Sequence, residues 1–198
     1  MSVQAATATP RQDNRRQRLL DAAARLFRSH GYHATSMRDI AKAVGMLPGS
    51  IYYHFPSKDE LLVTVYKEGV RRITEKVDAV TGRENDPWRR LEAACIAHLE
   101  TLLDHSDYAQ VVIRVLPDDA GPVKPRLIAL RDQYEARFKR LVEELDLPPQ
   151  VDRRYMRLLL IGALNWSQVW YRPGGDSPRT IARRFLQALH HGAEIKQT

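Results

Sequence analysis

Apolar residues recur every three or four positions along most of the chain, which is the period of one face of an α-helix. In the first segment this stripe consists of Leu20, Ala23, Ala24 and Phe27. Strict alternation of apolar and polar residues is almost absent, and no Asn-Gly or Asp-Gly turn joins two alternating runs. The pattern therefore predicts an all-α fold with nine helices, at about residues 13–30, 36–44, 48–55, 58–80, 87–104, 106–116, 126–145, 151–171 and 178–191.

Capping signals support several of these boundaries. Ser36 and Asp39 have the spacing of a cap on the second helix, and Ser57 to Glu60 forms an S-x-x-E capping box before the fourth. Gly31 and Gly45 are placed to end the first and second helices in the left-handed conformation. Residues 1–10 are small and polar, which predicts a disordered tail, and residues 118–125 are predicted to form a Gly/Pro loop.

Length and composition limit the class of protein. The chain has 198 residues, enough for one or two domains, and 43% of them are apolar. No apolar run reaches 18 residues, so we expect no membrane span, and the first residues do not resemble a secretion signal. The single cysteine, Cys95, allows neither an internal disulfide nor a cysteine-based zinc site. These features predict a cytoplasmic protein.

Positive charge is concentrated at the beginning of the chain. The formal net charge is +7, of which residues 1–60 contribute +4 from nine basic and five acidic residues. A basic unit favours a polyanionic partner, because neutralised phosphates release their counterions. A merely basic, well-solvated surface would have the same charge, so charge alone leaves both interpretations open.

The second and third predicted helices have the spacing of a helix-turn-helix, at about residues 35–54. A generic helical hairpin is the alternative, but the composition of the third helix argues against it. Short polar donors crowd its two turns, at Ser50, Tyr52, Tyr53 and His54. Such groups suit phosphate oxygens and base edges, and Gly49 lets the backbone approach a duplex closely. Tyr52 is the more ambiguous residue, because its ring follows Ile51 and could pack in the core.

The stretch TSMRDIAKAVGMLPGSIYYHFPSKDELL resembles the DNA-binding domain of the tetracycline-repressor (TetR) family, over about Leu19 to Leu62. The resemblance rests on the glycine at 31, the TSMRDIA start, the G-x-x-Y-x-H-F run and the SKDEL cap. It implies DNA contacts by Thr35, Ser36, Gly49, Tyr52, Tyr53, His54 and Lys58, to which Ser50 is added by its position. Two residues depart from the family pattern: Leu47 replaces the usual serine cap, and Pro48 replaces a common donor.

One helix-turn-helix reads half of a palindromic operator, so the chain is expected to form a homodimer on double-stranded DNA. The eighth predicted helix is apolar on all sides, which favours burial against both its own subunit and a partner. The resemblance implies that the ninth helix joins it in a four-helix interface. A single large monomeric core is the alternative.

The resemblance also implies a cavity for a small-molecule effector among helices four to eight. The candidate ligand-binding residues are His98, Arg114, Asn165, Trp166, Trp170 and Arg172. The segment GALNWSQVWYRPGG is similar to a branch of the family that senses acyl-CoA and related CoA thioesters, including regulators of fatty-acid and steroid-ring degradation. Each candidate could instead be structural, and the two tryptophans could simply fill the dimer core.

The resulting hypothesis is a ligand-responsive repressor with a DNA-binding domain at residues 12–72 and an effector-binding and dimerisation domain at residues 73–198. A helical enzyme is the first alternative, with candidates His98, His105, His190 and His191, but these histidines form no H-E-x-x-H motif. The second alternative is an architectural DNA-binding protein that ignores ligands. The sequence predicts no catalytic residue, metal site or cofactor.

Overall fold

The computed structural model describes residues 10–104, 106–115 and 117–194, without the side chains of 10–13, 117–119 and 194. Those residues form nine α-helices and no strand, which confirms the predicted all-α class. The helices are α1 Pro10–His30, α2 Met37–Ala43, α3 Ile51–His54, α4 Lys58–Thr81, α5 Pro87–Leu103, α6 Asp107–Arg114, α7 Lys124–Glu143, α8 Arg153–Trp170 and α9 Pro178–Glu194. The predicted tail up to residue 9 and His105 lie outside the described residues.

The first three helices form a headpiece around an aliphatic core. Leu19 and Ala23 of α1 are fully buried together with Ile40 of α2 and Ile51 of α3. Phe55, directly after α3, closes the same core. The buried residues of α1 and α2 follow the apolar periodicity of the sequence, so that pattern predicts which side of each of these two helices faces the core.

Local chemistry sets the headpiece boundaries. Ser36 caps α2 in a complete capping box, in which its hydroxyl accepts from the Asp39 amide and the Asp39 carboxylate accepts from the Ser36 amide. Ser57 caps α4 by accepting from the amide of Glu60. The Glu60 carboxylate, however, binds Arg126 of α7, so the predicted second half of that box is replaced by a tertiary ion pair. Gly45 has φ of 70° after α2, as expected for a terminal glycine.

The predicted third helix is only partly α-helical. A 3₁₀ turn at Pro48–Ser50 precedes a single α-helical turn, and no side chain caps this start. The side chain of Leu47 has no oxygen to offer the free amides, which is the physical reason for the missing side-chain cap. The proline occupies the first turn, where its missing N–H has no helical partner to lose.

The loop predicted for residues 118–125 is instead a 3₁₀ segment, Pro117–Val123, broken at Gly121, where φ is 53°. Helix α7 then begins two residues earlier than predicted, at Lys124, with Pro125 in its first turn. Proline is compatible with that position because the first helical amides have no intrahelical acceptor.

The remaining helices form a body in which α4 and α5 run side by side and α6 crosses α4 closely. Gly69 permits that crossing, because a Cβ there would lie 2.6 Å from Val112 Cγ2 and 2.7 Å from the Tyr108 carbonyl oxygen. Helix α6 also contacts the headpiece, where the Tyr108 hydroxyl donates to Asp21 and Arg28 pairs with Asp107 at 2.7 Å. Thus α6 joins the body to α1.

Helix α8, which was predicted to pack one side on its own subunit and another side on a partner, has two different faces in the single chain. One face packs into the body through Met156, Leu160 and Leu164. The opposite face is exposed in the single chain and carries Tyr155, Leu158, Leu159, Trp166, Val169 and Trp170. This α8 face is larger and more apolar than a solvated helix presents, which marks it as an interaction surface. Among the described helices, none combines the length and apolarity of a bilayer span.

Candidate nucleic-acid interface and effector cavity

The outer side of α3 presents two exposed tyrosines on a buried support. Ile51 and Phe55 fill the headpiece core from the inner side of the helix. Tyr53 is 73% exposed and Tyr52 is more than half exposed, so Tyr52 does not join the core. The buried pair fixes the direction of the helix, and the two phenol groups project from it as donors at short reach.

The rest of this outer surface is open. A Cβ added at Gly49 would meet nothing within 4 Å, and Ser50 is exposed beside it. His54 is half-buried, with its ring edge-to-face against that of Tyr53 at 5.4 Å. Leu47, at the tip of the turn, is 78% exposed. A duplex could therefore approach the 3₁₀ turn and α3 without displacing a side chain that supports the core.

Thr35 and Ser36 have different surroundings. Thr35 is only 3% exposed, and its hydroxyl donates to the Gly31 carbonyl oxygen at 2.8 Å. Ser36 is exposed, although its hydroxyl is engaged with Asp39. These hydrogen bonds from Ser36 hold the pKa of the Asp39 carboxyl below its usual value. Thr35 thus shapes the turn before α2 from inside, whereas Ser36 lies at the surface where α2 begins.

The ammonium of Lys58 anchors the turn between α1 and α2. It donates to the carbonyl oxygens of Tyr32 at 2.9 Å and Thr35 at 3.0 Å, with a longer contact to His33 at 3.5 Å. The same ammonium lies 4.3 Å from the centre of the Tyr32 ring. The Tyr32 hydroxyl in turn binds Asp59. Two of the three N–H donors of Lys58 are therefore committed to backbone oxygens.

Two exposed cations near this surface were not selected from the sequence. Arg38 and Lys42 lie on the outside of α2, one helical turn apart. Their i, i+4 spacing was the available signal, because residues at that separation share a helix face. They place positive charge on α2, beside the polar outer surface of α3.

A cavity of about 360 Å³ lies inside the body. Its walls come from five helices, and most of the lining is aliphatic or aromatic. The apolar part consists of Tyr66, Val70, Ile73, Leu102, Val112, Ile113, Val115, Ile161 and Trp166. This size is at the lower end of the range for small-molecule sites, and the apolar lining is typical of them.

One polar cluster faces this apolar lining. The His98 ring is 4% exposed, with Nδ1 2.6 Å from the Tyr134 hydroxyl and Nε2 3.1 Å from Asn165 Oδ1. Burial lowers the pKa of His98 to about 4, while the hydrogen bond with Asn165 opposes that shift. Burial also raises the pKa of Tyr134. All three side chains are therefore uncharged near neutral pH.

Charged residues at one side of the cavity compensate each other. Arg131 and Glu135 both line it, and their charged groups are 3.7 Å apart. Glu135 also accepts from Arg157 at 3.1 Å, and Arg131 contacts Asp132 at 3.3 Å. The two cations are thus balanced by two carboxylates.

The six residues predicted to bind ligand fall into two groups. His98, Asn165 and Trp166 line the cavity. Arg114 lies outside it on the exposed side of α6, where it donates to Gln110 at 3.0 Å. Trp170 packs against Phe185 of α9, and Arg172 donates to nearby backbone carbonyl oxygens. Sequence analysis missed Tyr134, because only the fold brings α7 against His98.

The histidines proposed for the enzyme alternative do not converge among the described residues. His98 faces the cavity, His190 packs against the Trp88 ring at 4.5 Å, and His191 contacts the Gln187 carbonyl oxygen. Cys95 is buried, and burial raises the pKa of its thiol, which makes it a poor nucleophile. No metal-binding group of three such residues occurs in the described part of the chain.

The chain is similar to known transcriptional regulators over most of its length. The chain is 32% identical over 192 residues to the HTH-type transcriptional repressor KstR2 of Mycobacterium tuberculosis, covering 91% of this chain and 93% of the relative. The structure of that bacterium's ketosteroid transcriptional regulator KstR2 superposes with a TM-score of 0.72 at 25% identity, covering 92% and 96% of the two chains. AibR, solved with isovaleryl coenzyme A and operator DNA, shares the fold, with a TM-score of 0.76 at 22% identity and coverage of 88% and 97%.

Two family models match consecutive parts of the chain. The model of bacterial regulatory proteins of the tetR family matches residues 19–65, which contain α2, the 3₁₀ turn and α3. The model of the tetracyclin repressor-like C-terminal domain matches residues 84–193, which contain α5 to α8 and nearly all of α9. The chain therefore belongs to the TetR family and is a DNA-binding, ligand-responsive transcriptional repressor rather than an enzyme.

Proposed function

We propose that the outer surface of the headpiece is the operator-binding site and that its contacts come from Thr35, Ser36, Gly49, Ser50, Tyr52, Tyr53, His54 and Lys58. The observation that carries this assignment is the pair of exposed tyrosines on a helix whose inner side is fully buried. Solvation alone would favour Glu or Lys at such positions. Phenol, hydroxyl and imidazole groups instead fit phosphate oxygens and base edges of a major groove.

Individual contacts follow from the surroundings of each residue. Thr35 contributes through its backbone N–H, because its side chain is buried and the hydrogen bond from that N–H to the Tyr32 carbonyl oxygen is long, at 3.4 Å. Lys58 contributes its third N–H donor, since the contact to His33 is long enough to be exchanged for a phosphate oxygen. Arg38 and Lys42 strengthen binding through charge.

The domain boundaries that we propose are 12–72 for the DNA-binding domain and 73–198 for effector binding and dimerisation. Helix α4 crosses this boundary and belongs to both units. The α8 face, with α9 beside it, is proposed as the dimer interface, because its apolar side chains are exposed in the single chain. Two headpieces related by a dyad would then read a palindromic operator. We place this activity in the cytoplasm.

The effector that we propose is a CoA thioester of lipid or steroid catabolism. Its acyl or ring portion would enter the cavity, whose lining is mainly apolar. The charged phosphates would stay outside, because an apolar interior cannot replace their hydration. The similarity to the ketosteroid transcriptional regulator KstR2 supports the steroid part of this proposal.

Release from the operator would run through α6. Val112 and Ile113 of this helix line the cavity, and its first turn binds the headpiece through Asp107 and Tyr108. A ligand that moves α6 would therefore shift α1 and change the spacing of the two recognition helices. A coupling free energy of about 1–3 kcal/mol would change operator affinity roughly 5- to 150-fold.

Fluorescence anisotropy with duplexes from the upstream region of the protein's own gene tests this function. We expect tight binding at low salt, release by acyl-CoA thioesters and no release by free CoA. Absence of binding to every genomic duplex at low salt would refute the repressor. Sequence-independent binding without release by any thioester would favour the architectural alternative.

A further inference from the structure

The hydrogen bonds of the polar cluster formed by Tyr134, His98 and Asn165 all donate in one direction, which follows from the donors and acceptors that each group has. Neutral His98 has one N–H donor and one acceptor nitrogen. Its Nε2 faces the carbonyl oxygen of Asn165, which only accepts, so Nε2 carries the proton. Its Nδ1 is then the acceptor, and the Tyr134 hydroxyl must donate to it. The chain of hydrogen bonds therefore runs from Tyr134 through His98 to Asn165.

In this series of hydrogen bonds, the amide nitrogen of Asn165 is the donor that remains unused. Asn165 lines the cavity and is half-buried, and in the part of the chain that the structure describes no group accepts a hydrogen bond from its Nδ2. The hydrogen bond with His98 holds the carbonyl side of the amide in place and so orients the two N–H groups away from it. A donor that lines a cavity without a protein partner favours a ligand that brings an acceptor.

The charges around the cavity select the kind of acceptor. Arg131 and Arg157 are compensated by Asp132 and Glu135, so no uncompensated cation lines the site among the described residues. His98 is neutral and offers no positive charge either. A carboxylate would lose its hydration without gaining an ion pair, whereas a carbonyl oxygen loses much less.

We propose that Asn165 Nδ2 donates a hydrogen bond to an uncharged carbonyl oxygen of the effector, such as that of a thioester or ketone, and that His98 and Tyr134 are positioning residues for this amide. The inference rests on the proposed role of the cavity as the effector site. It adds that the Asn165 amide selects ligands with a neutral carbonyl group over carboxylates. It predicts that the cavity binds thioesters and rejects the corresponding free acids.

The test uses three probes of similar size and isothermal titration calorimetry on the full chain. S-ethyl hexanethioate contains the carbonyl, ethyl hexyl sulfide replaces it with a methylene group, and hexanoate carries a charge. For the wild type we expect the thioester to bind about tenfold tighter than the sulfide, the ratio for one neutral hydrogen bond, with hexanoate weakest. In N165L this ratio falls to near one.

The control variant is Q168L, which removes another amide lining the cavity from the same helix and should keep the wild-type ratio. Operator binding without probe reports whether each variant folds. If N165L does not fold, N165D keeps the side-chain size, lacks the donors and should lose the ratio as well. The positioning roles predict that Y134F lowers the ratio severalfold while leaving sulfide affinity unchanged.

A ratio that persists in N165L, or hexanoate binding as tightly as the thioester, would overturn this inference and leave the repressor proposal intact. If the wild type binds none of the three probes, the cavity is not the effector site. The effector part of the proposed function then falls too, while the DNA interface is judged separately by operator binding.

Discussion

The headpiece and the body both expose large rings, but their exposed surfaces differ in chemistry. The outer side of α3 and of the 3₁₀ turn before it carries two tyrosines, a serine and a glycine, and cations lie nearby on α2. The α8 face carries leucines, a valine and tryptophans around a single tyrosine. The first surface has a hydrogen-bonding atom at the end of nearly every side chain, and the second has very few.

This difference shows how two surfaces that both expose aromatic rings can be assigned to different partners. A polyanionic duplex requires donors and positive charge, because phosphate and base edges remain polar when bound. A second copy of the same chain requires mainly apolar area, because burying that area drives association. Exposure alone marks a surface as functional, and the terminal atoms of its side chains indicate the partner.

The largest expected effect comes from placing a charge on the α8 face. L159D should convert the dimer to a monomer, because Leu159 is exposed in the single chain and its burial at an interface would desolvate the new carboxylate. Loss of the second headpiece should weaken operator binding by roughly 100-fold or more. Analytical ultracentrifugation and anisotropy measure the two effects.

The matched control is Q133D, which places the same charge on the exposed surface of α7. It should leave both the dimer and operator affinity unchanged. If L159D remains a dimer, the α8 face is not the dimer interface, and the two surfaces cannot be assigned to different partners in this way.

The next effect concerns the two exposed tyrosines. Y53A removes a phenol from α3, so operator affinity should fall roughly 10- to 100-fold, the range for a hydrogen bond to a charged group. Dimerisation should not change. Y155A, which removes a 67% exposed phenol from the α8 face, should weaken the dimer instead. Size-exclusion chromatography beside anisotropy separates these outcomes, and monomeric Y53A would make Tyr53 structural.

A smaller effect is the pH dependence of stability that comes from the buried imidazole of His98. His98 has a folded pKa of about 4, below its usual value near 6.5, so the unfolded chain binds more protons between these pH values. Stability from this group is present above pH 6.5 and is lost as pH falls toward 4. Between pH 7 and pH 5 the loss is about 2 kcal/mol.

Urea unfolding at a fixed protein concentration measures this loss. H98Q should show a smaller drop in unfolding free energy between the two pH values, and H33Q, on the exposed turn, should behave as the wild type. Equal pH dependence in H98Q and the wild type would mean that His98 is not neutral and buried.

The smallest effect tests Lys58 at the edge of the headpiece surface. If its third donor binds phosphate, K58M should lower the salt dependence of operator binding by about one unit for each protomer. K67M, on an exposed position of α4, should leave the slope unchanged. A reduced melting temperature with an unaltered slope would restrict Lys58 to anchoring the turn.

Local patterns were enough to predict nine helices, because apolar periodicity and caps act within a few residues. Predictions failed where distant groups compete, as when Arg126 takes the Glu60 carboxylate from the capping box. The exposure of Tyr52 was also undecided, since α3 is too short for its pattern to orient a ring. Only three of the six ligand candidates line the cavity, because spacing along the sequence cannot show which side chains share a cavity.

The sequence by itself determined the helical class, the headpiece motif and the family, because these depend on short-range periodicity, capping and spacing. Only the tertiary structure decided that Tyr134 meets His98, that Asn165 keeps a free donor in the cavity and that α8 leaves one face uncovered. Those features arise from contacts between residues tens of positions apart. They depend on how whole helices pack, which no local pattern encodes.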